Sequence, residues 1–271
     1  MNNRKFTLIT GASTGLGKQL ALECAGQGRN IILTALPNEN IEELAKIISQ
    51  KYGVCVAAFE TDLTETEAVQ KFADEVNGDY SIDMLINNAG VGGTVPFMEA
   101  SPAYIDQIIL LNMRALVLLT RLLLPNLKKQ KQGYILNIAS MASFGPMPFK
   151  TVYPASKAFV YSFSRGLGAE LKGTGVTVSV AHPGGMKTNA EVTRRIEQHN
   201  KLIQTTTLSV DKVAKICIRQ TLKRDELIIP GWMNKFSYLL FKIIPVWLRL
   251  IIMRTSLQNE LKESGRVIQV V

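Results

Sequence analysis

Cysteine is scarce in this chain of 271 residues: there are three, Cys24, Cys55 and Cys217. The number is odd and no two stand as a CxxC pair, which argues against a disulfide framework and a structural zinc site. They read as buried thiols of a reducing compartment. Histidine is scarcer still, with only His182 and His199. No cluster of His, Cys, Asp and Glu has metal-ligand spacing, so no catalytic metal is expected. Internal repeats, low-complexity tracts and Gly/Ser linkers are missing, which excludes solenoids and tethered strings of domains. Glycine and proline number only 20 and 10, too few for a collagen-like or disordered chain. Acids are the minority charge, 22 against 31 Lys and Arg, giving a formal net charge of +9. That surplus suits nucleic acid, an anionic membrane surface or a phosphorylated ligand. No recognition motif or basic patch interleaved with aromatics supports nucleic acid, so that partner is not expected. The apolar run near the N-terminus, Phe6 to Thr10, is too short for a secretory signal. It reads as a first strand, and a cytoplasmic protein without a leader is expected.

What the chain has is alternation. Hydrophobic residues make up 46%, enough for a large core, and an α/β fold of this length is often one domain. Strand-like runs are predicted at Lys5–Thr10, Asn30–Ala35, Val54–Phe59, Met84–Ile86, Gly133–Ile138, Val176–Ala181 and Glu226–Ile229. Helical spacing is predicted for Gly17–Gly28, Ile41–Tyr52, Thr66–Val76, Pro102–Leu127, Val152–Lys172 and Val210–Lys223. Alternating strands and helices predict a parallel sheet with helices on both faces. Several strands are continuously apolar, as strands covered on both sides must be.

Thr10-Gly11-Ala12-Ser13-Thr14-Gly15-Leu16-Gly17 closes the first strand and opens the first helix. Glycines there let the backbone turn sharply and approach a pyrophosphate, which the helix N-terminus attracts. A plain strand–helix turn would use the same residues. An acid that grips an adenosine ribose is expected near the end of the second strand. Neither Leu36 nor Pro37 is acidic, which leans towards NADP(H) over NAD(H). No arginine stands there to clasp a 2′-phosphate; Lys18 and Arg4 are the substitutes considered.

Tyr153 and Lys157 stand four apart near the start of a helical segment and share a face. A nearby ammonium lowers a tyrosine pKa by favouring phenolate. Pro154 is tolerated in a first helical turn. Ser140, just beyond the fifth strand, could hold a carbonyl oxygen beside the phenol. Alone, a Tyr-x-x-x-Lys pair is common by chance.

In order, the chain carries Thr10-Gly11-x-x-x-Gly15-x-Gly17, Asp62-Leu63, Asn87-Asn88-Ala89-Gly90, Asn112, Ser140, Tyr153-x-x-x-Lys157 and Pro183-Gly184-x-x-x-Thr188. This ordered set, over about residues 4–230, resembles the short-chain dehydrogenase/reductase family. The resemblance implies a Rossmann doubly wound sheet of about seven strands and hydride transfer between a nicotinamide and a carbonyl or carbinol carbon. It implies Tyr153 as general acid/base, Lys157 as modulator of that tyrosine and ligand of the nicotinamide ribose, and Ser140 as polariser of the substrate carbonyl. Asn112 would anchor a water that relays protons to Lys157. The cofactor would lie on Gly11, Ser13, Thr14, Gly15, Leu16 and Gly17, with Asp62 and Leu63 at the adenine. Asn88, Ala89 and Gly90 would line the adenosine side, and Asn87 would be structural. Pro183, Gly184, the backbone near Met186, and Thr188 would hold the carboxamide side. Homodimers or homotetramers, joined through the helices of Asn112 and Tyr153, are also implied. The chain departs from the family pattern at Leu36-Pro37 and at Gly185, which follows Pro183-Gly184.

Other polar residues carry less. His182 reads as packed at a strand end. His199 lies in Glu191–Gln204, a polar stretch expected to form a substrate lid. Ser143 is a candidate second donor to substrate.

Residues 1–230 read as the catalytic domain and 231–271 as an amphipathic extension of it. Between Gly231 and Arg254 there is no acid, and both tryptophans fall here. Lys235, Lys242 and Arg249 recur every seven residues, so in one helix they would roughly share a face. These cations and Pro245 interrupt the run, so it is not expected to span a membrane. It could lie in a membrane interface, cover a greasy pocket, or pack against a subunit or the core. The function expected is reduction, with NADP(H), of a ketone on a hydrophobic substrate: a 3-oxoacyl chain, a sphingoid-type ketone or a steroid-like ketone. The alternative is a nucleotide-binding scaffold without turnover.

Overall fold

The computed structural model describes residues 4–186 and 207–263. Seven parallel strands form a single sheet in the order β3-β2-β1-β4-β5-β6-β7. They are β1 (Lys5–Thr10), β2 (Asn30–Ala35), β3 (Val56–Glu60), β4 (Ser81–Asn87), β5 (Gly133–Ile138), β6 (Val176–Ala181) and β7 (Leu227–Ile228). The helices between them are α1 (Gly15–Gly26), α2 (Ile41–Tyr52), α3 (Thr66–Asp79), α4 (Pro102–Ile109), α5 (Leu116–Lys128), α6 (Val152–Glu170) and α7 (Val210–Leu222). Two more, α8 (Trp232–Ile243) and α9 (Val246–Glu263), follow β7.

The doubly wound arrangement follows from the side-chain period of two along each strand. Ile9, Leu33, Met84, Ile86 and Leu136 point to one face and pack with α1, α2 and α7. Their neighbours Leu8, Ile32, Leu85 and Ile135 point to the other and pack with α3 and α5. Each fully buried Leu or Ile contributes roughly 1.5–3 kcal/mol. The chain winds outward from β1 to β3, then returns to place β4 on the other side of β1. That reversal opens a crevice at the carboxyl ends of β1 and β4, where ligands of such sheets bind.

Some element bounds differ from the sequence expectation. β4 begins at Ser81 rather than Met84, because Asp83 is tolerated inside it. Asp83 is only 8% exposed and pairs with Arg29, which also donates to Thr7 Oγ1 at 2.7 Å. Burial raises the Asp83 carboxyl above its usual range, and the Arg29 guanidinium opposes that rise. The expected helix Pro102–Leu127 is interrupted by a π-turn at Leu110–Ala115, a local widening often found at functional sites. By length and composition Pro102–Lys128 could cross a membrane, yet Ile108, Ala115, Leu119, Leu123 and Leu127 are buried in the protein. Cys24 on α1 and Cys217 on α7 are buried, and burial pushes both thiols up to about 12. Cys55 is only half-buried, taking a hydrogen bond from Arg4 Nη1 at 3.1 Å.

Candidate active site

The crevice is a cleft of about 780 Å³ running from the glycine loop to Tyr153. Its first wall is the turn from β1 to α1. Gly11 and Gly15 have φ of +61° and +54°, which side chains rarely tolerate. Gly17 is required for a different reason: a Cβ there would stand 2.0 Å from Gly11 O and 2.6 Å from Asn88 Nδ2. Asn88 braces this turn, its Nδ2 donating to Thr10 O and Gly11 O, both at 3.0 Å. Thr10 Oγ1 accepts in return from the N–H groups of Asn88 and Ala89. Asn87, one residue earlier, is buried and donates to Thr120 Oγ1 and Asn137 Oδ1, a structural use. Asp62 accepts from Thr64 N and Thr64 Oγ1, a local turn that sets its carboxylate at the cleft beside Leu63.

The far end of the cleft collects Ser140, Tyr153 and Lys157 from β5 and α6. Ser140 Oγ caps the short turn Met141–Phe144 by accepting from Ala142 N at 3.1 Å. A side-chain hydrogen bond joins Ser140 to Tyr153 and pulls the phenol pKa down, but burial raises it more. The lowering by Lys157 expected from the sequence does not contribute; Ser140 is the group that lowers the phenol. Lys157 is 5% exposed, and burial alone lowers it from 10.5 to about 8. Its Nζ donates to Ile138 O at 2.9 Å and lies 5.9 Å from the centre of the Tyr153 ring.

Asn112 does not line the cleft. Within the π-turn it is 1% exposed; its Oδ1 accepts from Val91 N, and its Nδ2 donates to Val91 O and Ser156 Oγ at 2.9 and 3.0 Å. Its side chain is thus committed to clamping the loop after β4 onto α6. Gly90 lies between, where a Cβ would come within 3.2 Å of Lys157 Nζ. Pro183, Gly184 and Met186 line the cleft beyond β6. Thr188 lies outside the described residues, as do His199 and the expected lid at 191–204.

His182 is buried behind Ser140. Its Nδ1 lies 3.0 Å from Ser140 O, and its ring lies 4.3 Å from that of Phe144. Burial lowers its pKa to about 4, so the ring is neutral and Nδ1–H donates to the carbonyl. Ser143 is spent on Lys157 O at 3.0 Å rather than facing the cleft. Arg4 sits at the opposite end of β1, on Cys55, and Lys18 is off the cleft; neither reaches the end of β2.

Among the cleft residues that the sequence reading does not name, Gly92 and Glu39 bear on the site. Gly92 makes room for the Tyr153 ring, since a Cβ would stand 2.3 Å from Cδ2. Its doublet with Gly93, just after Asn-Ala-Gly, was the available signal. Glu39 lines the cleft beside the glycine turn, accepting a hydrogen bond from Ser13 Oγ. It lies beyond the strand end where an acid was sought. Asn38 and Asn40, at φ of +66° and +54°, turn the intervening loop.

The family model described as short chain dehydrogenase matches residues 5–199. Very-long-chain 3-oxoacyl-CoA reductase-B of Danio rerio is 35% identical over 183 residues, covering 66% of this chain and 58% of that protein. The chain thus spans a little over half the length of that relative. Among solved structures, a short-chain dehydrogenase from Sphingobium yanoikuyae in complex with NADPH superposes with a TM-score of 0.76 at 29% identity, covering 87% of this chain and 92% of that one. The bulky-bulky ketone specific alcohol dehydrogenase from Comamonas testosteroni gives 0.75 at 25% identity, covering 100% and 97%.

Proposed function

The chain belongs to the short-chain dehydrogenase family, and from that premise we propose that it is an NADP(H)-dependent reductase of a ketone carried on a hydrophobic substrate. The observation that carries the reading is the meeting of Ser140, Tyr153 and Lys157 at one end of a cleft whose other end is the glycine turn. The turn fits a dinucleotide: Gly11 and Gly15 hold positive φ, and the helix N-terminus at Gly15 opens onto the cleft. Gly11, Ser13, Thr14, Gly15, Leu16 and Gly17 would hold the pyrophosphate end, Asp62 and Leu63 the adenine, and Pro183, Gly184 and Met186 the nicotinamide end. A bound nicotinamide supplies the hydride.

The protein's own part is the proton and the positioning. Tyr153 Oη would give its proton to the ketone oxygen, a step typically worth ~10²–10⁴-fold. The burial that raises its pKa keeps it protonated and able to donate. Ser140 Oγ would hold the same oxygen. Lys157 would hold the nicotinamide ribose, and its burial makes it ready to exchange a proton near neutrality. Asn112 would position the loop after β4 through Val91 and Ser156 and anchor the water that relays protons to Lys157. Leu110, Leu111, Ala103 and Val91 add an apolar side to the cleft, which suits a 3-oxoacyl, sphingoid-type or steroid-like ketone. The NADP(H) reading is supported by the NADPH in the Sphingobium yanoikuyae neighbour; no acid stands at Leu36 or Pro37, but Glu39 enters the same end of the cleft and weighs towards NAD(H). We take residues 1–230 and the extension 231–271 as one catalytic domain that assembles as a homodimer or homotetramer.

The test is NADPH and NADH oxidation against a panel of long-chain and compact ketones, with Tyr153→Phe alongside. Tyr153→Phe keeps the ring and should keep NADPH affinity while losing at least ~100-fold in kcat. Near-normal turnover in that variant removes Tyr153 from the mechanism. Binding of NADPH without turnover of any ketone would favour the scaffold reading.

A further inference from the structure

The helices α8 and α9 have unlike faces. Their inner faces are tied to the catalytic turn: Arg249 Nη1 donates to Phe144 O at 2.8 Å, and the Tyr238 ring lies 4.5 Å from that of Phe144. Asn234 is buried against Gly184, where a Cβ would meet its Oδ1 at 2.5 Å. Arg249 therefore leaves the cation stripe that the sequence suggested. Pro245 splits the segment into two helices, and each rotates its own face outward.

The outer faces are apolar and exposed. On α8, Trp232, Phe236, Leu239 and Ile243 follow one another at intervals of four and three, a single helical stripe. On α9 the stripe is Trp247, Leu248, Ile251 and Ile252. Both tryptophans of the chain are here, 75% and 63% exposed. Lys235 and Lys242 run along one edge of the α8 stripe and Arg254 along one edge of the α9 stripe, all exposed. No acid occurs between Glu226 and Glu260.

We propose that these two outer faces dock the protein onto an anionic phospholipid surface. A scattered exposed leucine needs no explanation, but an exposed apolar stripe on each of two successive helices, each with cations along one edge, does. Indole rings are suited to the headgroup level, and lysine stems lie along apolar surface while their charges reach outward. The lack of acids decides between occupants. A second copy meeting this face symmetrically would bring Lys235, Lys242 and Arg254 together with their own kind and no carboxylate to pair them. A bilayer carrying anionic lipid supplies the missing charge and takes up the apolar stripes. Because the inner faces hold Phe144 and Gly184, docking would set the catalytic cleft at a fixed place against the surface.

The experiment pellets the full-length protein with vesicles of phosphatidylcholine alone and of phosphatidylcholine mixed with phosphatidylglycerol. The expected result is pelleting with the mixed vesicles, weakened by salt and accompanied by a blue shift of tryptophan emission. Leu239→Glu/Trp247→Glu should lose at least ~10-fold in vesicle affinity, and Lys235→Glu/Lys242→Glu should lose the preference for anionic lipid. Circular dichroism and NADPH binding check that both variants are folded, and vesicle binding is read without turnover, so it stands or falls apart from the reductase reading. No pelleting with mixed vesicles overturns the proposal. So does a wild-type dimer that Leu239→Glu/Trp247→Glu converts to monomer, which would make the face a subunit contact.

Discussion

Lys157→Met should make the protein more stable near neutral pH while abolishing its chemistry. Lys157 is buried, and its pKa falls from 10.5 to about 8 because the interior disfavours its charge. At about 1.36 kcal/mol per unit, that fall costs roughly 3 kcal/mol when the folded protein must keep the ammonium. The methionine fills a similar volume. It forfeits the charge-assisted bond from Nζ to Ile138 O and leaves that buried carbonyl unpaired, a loss of about 2 kcal/mol near neutral pH. The expected net gain is about 1 kcal/mol at pH near 7. Below about 8, lysine is charged in both the folded and unfolded chains, and the full cost is present. Between about 8 and 10.5 the folded protein sheds its proton first, so wild type gains stability relative to the variant as pH rises. Above 10.5 both states are neutral, and the variant should be the less stable by the lost hydrogen bond. Urea unfolding of both proteins, without cofactor, across this range reads the difference directly, with other titrations cancelling. A variant less stable than wild type near neutral pH, or a difference that does not change with pH, would refute the reasoning.

Two further outcomes are expected. Glu39→Gln should raise the ratio of kcat/KM for NADPH over NADH roughly fivefold, because the carboxylate held by Ser13 stands at the adenosine end and repels a 2′-phosphate; an unchanged ratio, or a shift towards NADH, would place Glu39 outside cofactor recognition. Gly17→Ala must push the Gly11 carbonyl from 2.0 Å and disturb Asn88, so NADPH affinity measured by fluorescence titration should fall at least ~100-fold; wild-type affinity would show that the turn yields freely.

The sheet was legible because its signal is local. β1, β2, β5 and β6 are short apolar runs, and their predicted and observed bounds coincide. β4 was cut short because a buried carboxylate looks like a loop residue until Arg29 is seen beside it. The ordered motifs placed every candidate on the cleft except Asn112, which sits behind it, and Thr188, which lies outside the described residues. Glu39 was missed because a left-handed loop carries it back to Ser13 across 26 positions of sequence. The seven-residue stripe of Lys235, Lys242 and Arg249 assumed one helix; the break at Pro245 sends Arg249 inward to Phe144 O instead.

By itself, then, the sequence determined the strands, the glycine turn and the spacing of Tyr153 and Lys157, since each depends on periodicity or backbone freedom within a few residues. The tertiary structure decided what depends on distant groups meeting. Burial sets Lys157 at about 8 and raises Tyr153. The Val91 and Ser156 partners turn Asn112 into a clamp. Only packing of α8 and α9 on the turn Met141–Phe144 shows which of their residues face the core and which are left facing outward. Desolvation, long-range hydrogen bonds and the choice of buried face are properties of the assembled surroundings, and no stretch of sequence contains them.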